Sequence, residues 1–300
     1  MRDLTPLIIF ARVADMASFT RAAESLGMHK GRVSTAVRDL EATVGVRLLH
    51  RTTRAVHLTD DGRAFHARAM ELLAEAEGLD AMFTQHGGTV RGRLRVDVPT
   101  ELARAMLIPA LPALLAAHPG LELEISSTDR RVDIVQEGFD GVLRVGTIGD
   151  DNLIARPLGA LRMVNAASPA YLARYGTPLT PDDLVRQGHR IVHYAPALGT
   201  RSFGWEYPDG DGYATLGLPG DVSVNNVQTY HAAGLAGIGL IQAGLAAMQP
   251  LFDSGEMVEI LSAYPPEPLP VWFVVAHRRN LSAKMRAFLV WVETTMQPYL

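Results

Sequence analysis

Lys30, Arg32, Thr35 and Arg38 place four hydrogen-bond-donating side chains within nine positions of one helical stretch. Val33, Val37, Leu40 and Val44 recur beside them at spacings of four, three and four. That periodicity gathers the apolar side chains on one helix face and leaves the cations on the others. Cations on an exposed helix bind phosphate, and Arg or Lys also donates to guanine O6 and N7 in a DNA major groove. One of Lys30 and Arg32 is expected to make such a base contact, with a phosphate contact as the equal alternative. Arg51 and Arg54 stand at a Thr52-Thr53-Arg54 tip between two short runs of alternating apolar and polar residues, Leu48 to Leu58, as in a two-stranded wing. Arginine suits bidentate phosphate contact and a narrow minor groove.

These side chains need a scaffold. Ser18 is a good N-cap, Ala22, Ala23 and Leu26 form a small apolar face, and Gly27 supplies a turn, so residues 18 to 44 read as a helix-turn-helix. Charge follows the same division. The chain carries 28 basic and 32 acidic residues, net −4, yet residues 1 to 68 hold 11 basic and 7 acidic, leaving net −8 for the rest. Phosphate attraction is screened within roughly 10 Å, so the sign of one region outweighs the total. A long helix follows, capped by Thr59 with Asp60 and Asp61 in its first turn, and unbroken until Gly87-Gly88. Phe65, Ala69, Leu72, Ala76, Leu79 and Phe83 form a heptad seam on it. Such a helix is about 40 Å long, too long to bury on a small head, so the seam predicts pairing with a second chain.

The remaining two thirds alternate strands and helices, the pattern of an α/β sheet. Strands are expected at 93–98, 121–126, 141–145 and 154–158, and a helical stretch over 100–118 interrupted at Pro109 and Pro112. A second unit begins near Val164, with a helix at 227–236 and a strand at 237–241. Val271 to Ala276 and a last helix at 282–296 return to the first unit, so two crossings join two lobes around a cleft. Backbone N–H groups point outward where strands end and helices begin. Thr100, Ser127-Thr128, Asn225-Asn226 and Arg144 to Gly146 lie at such places; simple capping is the alternative for Thr100 and Asn226. Glu101 would repel an acidic ligand unless Arg130, Arg131 or Arg201 balances it. Phe203, Trp205 and Tyr207 alternate as a core stripe would.

Several chemistries find no support. There is no Gly-x-Ser-x-Gly elbow and no phosphate loop, and the glycines of 234–239 lack dinucleotide spacing. With no cysteine, thiolate nucleophiles, Cys-based zinc sites and disulfides are excluded. His29, His50, His57 and His66 lack ligand spacing. No catalytic residue, metal or cofactor is expected, and the chain reads as no enzyme. Residues 1 to 10 do not form a signal peptide, and no run approaches the roughly 20 residues of a membrane span, so a cytoplasmic protein without membrane partner is expected.

Residues 1 to 86 resemble the N-terminal half of the LysR-type transcriptional regulators. The resemblance rests on Phe10, Ser18-Phe19-Thr20, Ala22-Ala23, Leu26, Val33-Ser34, Leu40-Glu41, Gly45, Leu48, Arg51-Thr52 and Leu58-Thr59 with Gly62. It continues through Gly92 to Val96, Pro109 with Leu111-Pro112, Pro119, Val132-Asp133, Asp140, Leu143 to Gly146, Ala167 to Leu172 and Gly237-Ile238-Gly239. His29, Lys30, Gly31 and Arg32 stand where the family commonly has Ser-Gln and a small residue, and Leu49 where Phe is usual. These departures bear on the operator, not on the fold.

The resemblance implies α/β architecture with an N-terminal winged helix-turn-helix, a long linker helix and a two-lobed periplasmic-binding-protein-like α/β effector domain. The expected units are a DNA-binding domain at 1–58, a linker and dimerisation helix at 59–88, and an effector domain at 89–300. Its first lobe is about 89–163 with 268–300, its second about 164–267. DNA contacts are expected from Ser18, Thr20, His29, Lys30, Arg32, Ser34, Thr35, Arg38, Arg51, Thr53 and Arg54. Effector contacts are expected from Thr100, Ser127, Thr128, Arg144 and Asn226. The implied partners are double-stranded DNA, an unidentified small-molecule effector, a second copy of the chain and usually a tetramer, with RNA polymerase a further one. The reading from another class is a two-lobed binding protein or enzyme whose N-terminal helices only mediate assembly.

Overall fold

The computed structural model describes residues 3–51, 56–84, 90–134, 137–148, 154–195, 197, 199–200, 204–275 and 281–300. Three helices, α1 (Thr5–Met16), α2 (Phe19–Ser25) and α3 (Lys30–Val44), begin the chain. Ser18 caps α2, its Oγ accepting the Arg21 N–H at 3.3 Å. Gly27 turns the chain into α3 with φ 61°, a left-handed geometry that glycine adopts without steric cost. Ala22 and Ala23 pack with Phe10, Val13, Val33 and Val37 in one buried cluster, small side chains allowing the close helix crossing. β1 (Leu49–Arg51) and β2 (Val56–Leu58) pair antiparallel with Leu49 opposite Leu58. Glu41 of α3 steadies the base of this wing, its Oε1 accepting the N–H groups of Leu48 at 2.9 Å and Leu49 at 3.1 Å.

Helix α4 (Asp60–Thr84) starts against the wing. Thr59 Oγ1 accepts the Gly62 N–H at 2.8 Å and donates to the Arg47 carbonyl at 2.7 Å. A Cβ at Gly62 would stand 2.0 Å from the Leu48 carbonyl oxygen, so helix and wing meet backbone to backbone. The seam expected to pair two chains begins instead on the chain's own head. Phe65 packs edge-on against Phe10, ring centroids 5.4 Å apart, and Ala69 is buried. The cause is the path of α4, which leaves the wing lying along α1, where His66 Nε2 also comes within 2.9 Å of Asp15. Leu72 is exposed and Ala76 half-buried; the side chains of Leu79 and Phe83 lie outside the described set.

The first lobe opens with β3 (Arg91–Val98). Leu94, Val96 and Val98 turn into the core, while Arg93 and Arg95 on the other face both pair with Glu124, the two-residue period of a strand. One continuous helical run follows: α5 (Thr100–Leu102), a π-helical turn over Ala103–Leu107, and α6 (Ile108–Ala117). The expected interruptions at Pro109 and Pro112 are absent. The irregularity lies just before them, where the Ile108 N–H donates to the Ala103 carbonyl five residues back. A proline ring collides with the carbonyl four residues earlier in a regular helix, and a wider turn relieves that contact for Pro109. The 18 residues Thr100–Ala117 reach a mean hydropathy of 1.4, so one run does approach the length and apolarity of a membrane span, against the expectation that none would. Leu102, Met106, Leu107 and Leu114 bury in the lobe's core.

After β4 (Gly120–Ser127), β5 (Gly141–Val145) and β6 (Ile154–Leu161), the chain crosses to a second lobe. That lobe holds β7 (Met163–Ala167), α7 (Pro169–Tyr175), α8 (Pro181–Arg186), β8 (His193–Tyr194), β9 (Trp205–Asp209), β10 (Gly212–Leu216), β11 (Ser223–Val224), α9 (Val227–Leu235), β12 (Ile241–Gly244), α10 (Leu245–Asp253) and β13 (Val258–Ile260). The return is β14 (Leu269–Val275) and α11 (Ala283–Met296). The first sheet has the order β4-β3-β5-β14-β6, with β14 antiparallel to both neighbours. The second has the order β12-β7-β13, beside the parallel pair β8 and β11 and the hairpin β9-β10. Residues 237–240 do not join β12 as expected. Gly237 takes φ 73°, and its N–H and that of Ile238 close back on the carbonyls of Gly234 and Ala233, which ends α9 and delays the strand. Trp205 is a core residue and Tyr207 half-buried; Phe203 lies outside the described residues.

The head also touches the first lobe. Arg93 Nη1 donates to the Ser25 carbonyl at 3.3 Å, Arg12 Nη2 lies 3.9 Å from Asp140 Oδ1, and Gly138, φ 70°, leaves room for Met16, whose Cε a Cβ there would meet at 2.4 Å.

Candidate DNA interface and effector cleft

Helix α3 divides cleanly. Val33 and Val37 have no exposure at all, while Lys30, Arg32, Thr35 and Arg38 are exposed and Ser34 half-buried. Burying two valines in the head fixes the rotation of α3 and thereby aims its cations outward. His29 is committed to the helix start, its Nδ1 accepting the Gly31 N–H at 3.4 Å, and Ser18 is committed likewise to α2. Thr20 is exposed on the first turn of α2. Arg38 Nε is 3.6 Å from Asp39, a pair in open solvent that phosphate can displace at little cost. Arg51 belongs to β1, its side chain outside the described set; Thr53 and Arg54 lie outside the described residues altogether.

The cleft residues are placed differently. Arg144 Nη1 donates to Asp97 Oδ2 at 2.9 Å and to the Leu143 carbonyl at 2.8 Å. Thr128 Oγ1 donates to Asp97 Oδ1 at 3.1 Å, so two of the five predicted effector residues already serve a fully buried carboxylate. Asn226 caps α9, its Oδ1 accepting the N–H groups of Gln228 at 3.0 Å and Thr229 at 3.1 Å. Ser127 is exposed at the end of β4. Glu101 is balanced by Arg104, at 2.6 Å on the same helical run, rather than by the expected arginines. Arg130 is bound to Glu137 and Arg131 to the Thr147 carbonyl; Arg201 lies outside the described residues.

Sequence reasoning missed two groups. Asp129 joins the lobes: Oδ1 accepts the Thr100 N–H at 2.9 Å, and Oδ2 accepts the Val227 N–H at 2.7 Å, 98 positions away. Its place after the predicted Ser127-Thr128 pair was the one available signal. His231, one turn along α9, is 8 % exposed and its Nε2 has no hydrogen-bond partner. Burial holds its pKa below the ordinary histidine value, with Glu101, Arg104 and Asp129 acting on its charge. Burial, with the Asp129 charge, likewise pushes the Tyr194 phenol up to about 12.

Two family models cover this arrangement: the bacterial regulatory helix-turn-helix protein, lysR family, over residues 4–63, and the LysR substrate binding domain over residues 87–297. An uncharacterized HTH-type transcriptional regulator, YhjC of Escherichia coli, is 42 % identical over all 300 residues, covering 100 % of both chains. An HTH-type transcriptional repressor of Pseudomonas aeruginosa is 35 % identical, covering 97 % of this chain and 92 % of that one. Among solved structures, CrgA of Neisseria meningitidis, a LysR-type transcriptional regulator, superposes with a TM-score of 0.60 at 27 % identity, covering 98 % and 99 % of the two chains. With a helix-turn-helix head at one end and a two-lobed α/β domain at the other, the chain belongs to the LysR-type transcriptional regulators, which bind DNA with the first and an effector with the second.

Proposed function

We propose that α3 reads double-stranded operator DNA through Lys30, Arg32, Thr35 and Arg38, with Thr20 and Ser34 beside them and Arg51, Thr53 and Arg54 anchoring phosphate from the wing. Ser18 and His29 serve by fixing the helix starts. The observation that carries this reading is the row of exposed cations over the buried Val33 and Val37. The functional units are the head (1–58), the linker helix (59–88) and the effector domain (89–300). Two chains pair along α4 from Leu72 onward, and effector domains assemble dimers into a homotetramer. A small molecule enters between the lobes near Thr100, Ser127, Thr128, Arg144 and Asn226, to which Asp129 and His231 are added. Binding changes how effector domains pack and so the spacing of the heads, since an effector acts only through unequal affinity for two arrangements. Work of this kind belongs in the cytoplasm, with RNA polymerase as the downstream partner and no catalytic step.

Footprinting on DNA upstream of the protein's own coding region and of the neighbouring divergent gene tests the reading. The expected result is a protected site whose affinity falls steeply with salt, log K against log salt having a slope of about −0.9 per phosphate neutralised. Salt-independent affinity, or no retardation of any chromosomal fragment at low ionic strength, overturns it.

A further inference from the structure

We propose that Asp129 is an internal ligand: its carboxylate occupies an oxyanion site between the lobes, latches them together, and is replaced there by a carboxylate of the effector. The proposal rests on the reading of the cleft as the effector site. Two helical runs, one from each lobe, point their first N–H groups at this point. The Thr100 N–H opens the run that continues through α6, and the Val227 N–H opens α9; Asp129 bridges them at 2.9 Å and 2.7 Å. The other orphan donors of α9 are already taken by Asn226, so the Asp129 carboxylate completes the set. Helix N-termini carry partial positive charge and favour an anion.

Two side chains near the latch carry an unpaired buried nitrogen: His231, which interacts with the charge of Asp129, and Arg144, which shares Asp97 with Thr128, the neighbour of Asp129. His231 Nε2 and Arg144 Nη2 are both buried without a hydrogen-bond partner, and an unmet buried polar atom carries a desolvation cost that an incoming polar group would remove, a carboxylate doing so for the Arg144 N–H and for His231 in the tautomer that carries the proton on Nε2. His231 is more than nine-tenths buried and lies within electrostatic reach of Asp129, Glu101 and Arg104. Glu101 and Asp97 are each neutralised by an arginine, which leaves Asp129 as the charge to be exchanged. An effector carboxylate taking its place conserves the charge of the cleft while freeing the segment that carries Asp129.

That segment reaches the head. Arg130 is bound in bidentate fashion to Glu137, Gly138 receives Met16 of α1, and Asp140 faces Arg12. Exchange of the carboxylate at Asp129 thus acts on residues that meet the DNA-binding unit, which supplies a physical difference between the ligand-free and ligand-bound arrangements.

The absence of native cysteine makes the test direct. Spin labels at Glu122→Cys and Val185→Cys, both exposed and on opposite lobes, report the interlobe distance in the full chain without DNA. The expected result is one narrow distance for the otherwise unchanged protein and a second, longer population in Asp129→Ala. Sodium formate at millimolar concentration and above restores the narrow distance in Asp129→Ala, whereas sodium chloride at equal ionic strength does not; the tethered carboxylate has an effective concentration of that order. Val227→Pro is the second variant. Proline is welcome at the first helical position, and Asn226, φ −136° and ψ 133°, already has the extended geometry that precedes it. It removes one N–H and no charge, and it should open the lobes beyond rescue by formate. An unchanged distance in either variant, or restoration by chloride as well as by formate, or by neither, overturns the proposal. Because no duplex is present, a chain that failed to bind DNA would leave this outcome untouched.

Discussion

The DNA face and the effector cleft treat their polar groups in opposite ways. On α3 the cations stand in solvent, aimed by the rotation of the helix, with Arg38 near an equally exposed Asp39. In the cleft Arg144 Nη1, Thr128, Asp129 and Asn226 are spoken for by groups of the same chain, which leaves Arg144 Nη2 and His231 Nε2 as the exceptions. The physical reason is solvent. An exposed cation is hydrated until phosphate arrives and gives up little in exchange, whereas a group taken out of water must find its partner inside the fold. The external site is therefore written in residue types, and the internal one in pairings.

The largest expected effect breaks this contrast from the cleft side. Arg144→Met leaves Asp97, which has no exposure, without its cation, and should cost about 3–5 kcal/mol of stability by denaturant unfolding. A change below 1 kcal/mol would mean that the cleft is as open as α3. Next is Gly62→Ala, whose Cβ would meet the Leu48 carbonyl. Strain of this kind costs about 1–3 kcal/mol, and it should melt the head and abolish DNA retardation while the lobes keep their own transition. Arg32→Ala sharpens the other side: with no internal partner to orphan, stability should move by less than about 0.5 kcal/mol. DNA binding weakens, and the salt slope becomes shallower by about 0.9 if the contact is to phosphate. An unchanged slope with affinity lost on only some operator variants assigns Arg32 to base reading instead.

The smallest effect is on pH. Burial lowers the pKa of His231 and of His189, both in the second lobe. The folded chain then binds fewer protons than the unfolded chain as pH falls through the ordinary histidine range near 6.5, so stability declines on acidification. A thermal scan from pH 7.5 to pH 5.5 should show the effector domain losing stability, and His231→Gln should flatten part of that decline. No difference between the two profiles would remove His231 from the account.

Much of the head was legible because its signals are local. The spacing of Val33 and Val37, the Ser18 cap and Gly27 each act within a few residues, and each stands where its chemistry demanded. Thr59 and Gly62 were legible as a helix start, but not as the backbone contact between α4 and the wing. The seam of Phe65 and Ala69 misled because periodicity reports that a face is apolar and not what covers it; Phe10 of the same chain does. Pro109 and Pro112 misled for a related reason, since a π-helical turn upstream relieves what proline alone would break.

From composition and spacing alone came the exposed cationic helix, the wing, the succession of strands and helices and the absence of thiol chemistry, because each follows from side-chain type or a period of a few residues. Folding decided the rest: that Arg104 balances Glu101, that Phe65 stays at home, and that one carboxylate holds two N–H groups 127 residues apart in the chain. Such pairings are set by which backbone groups are left unsatisfied when two lobes come together, and no local pattern records that.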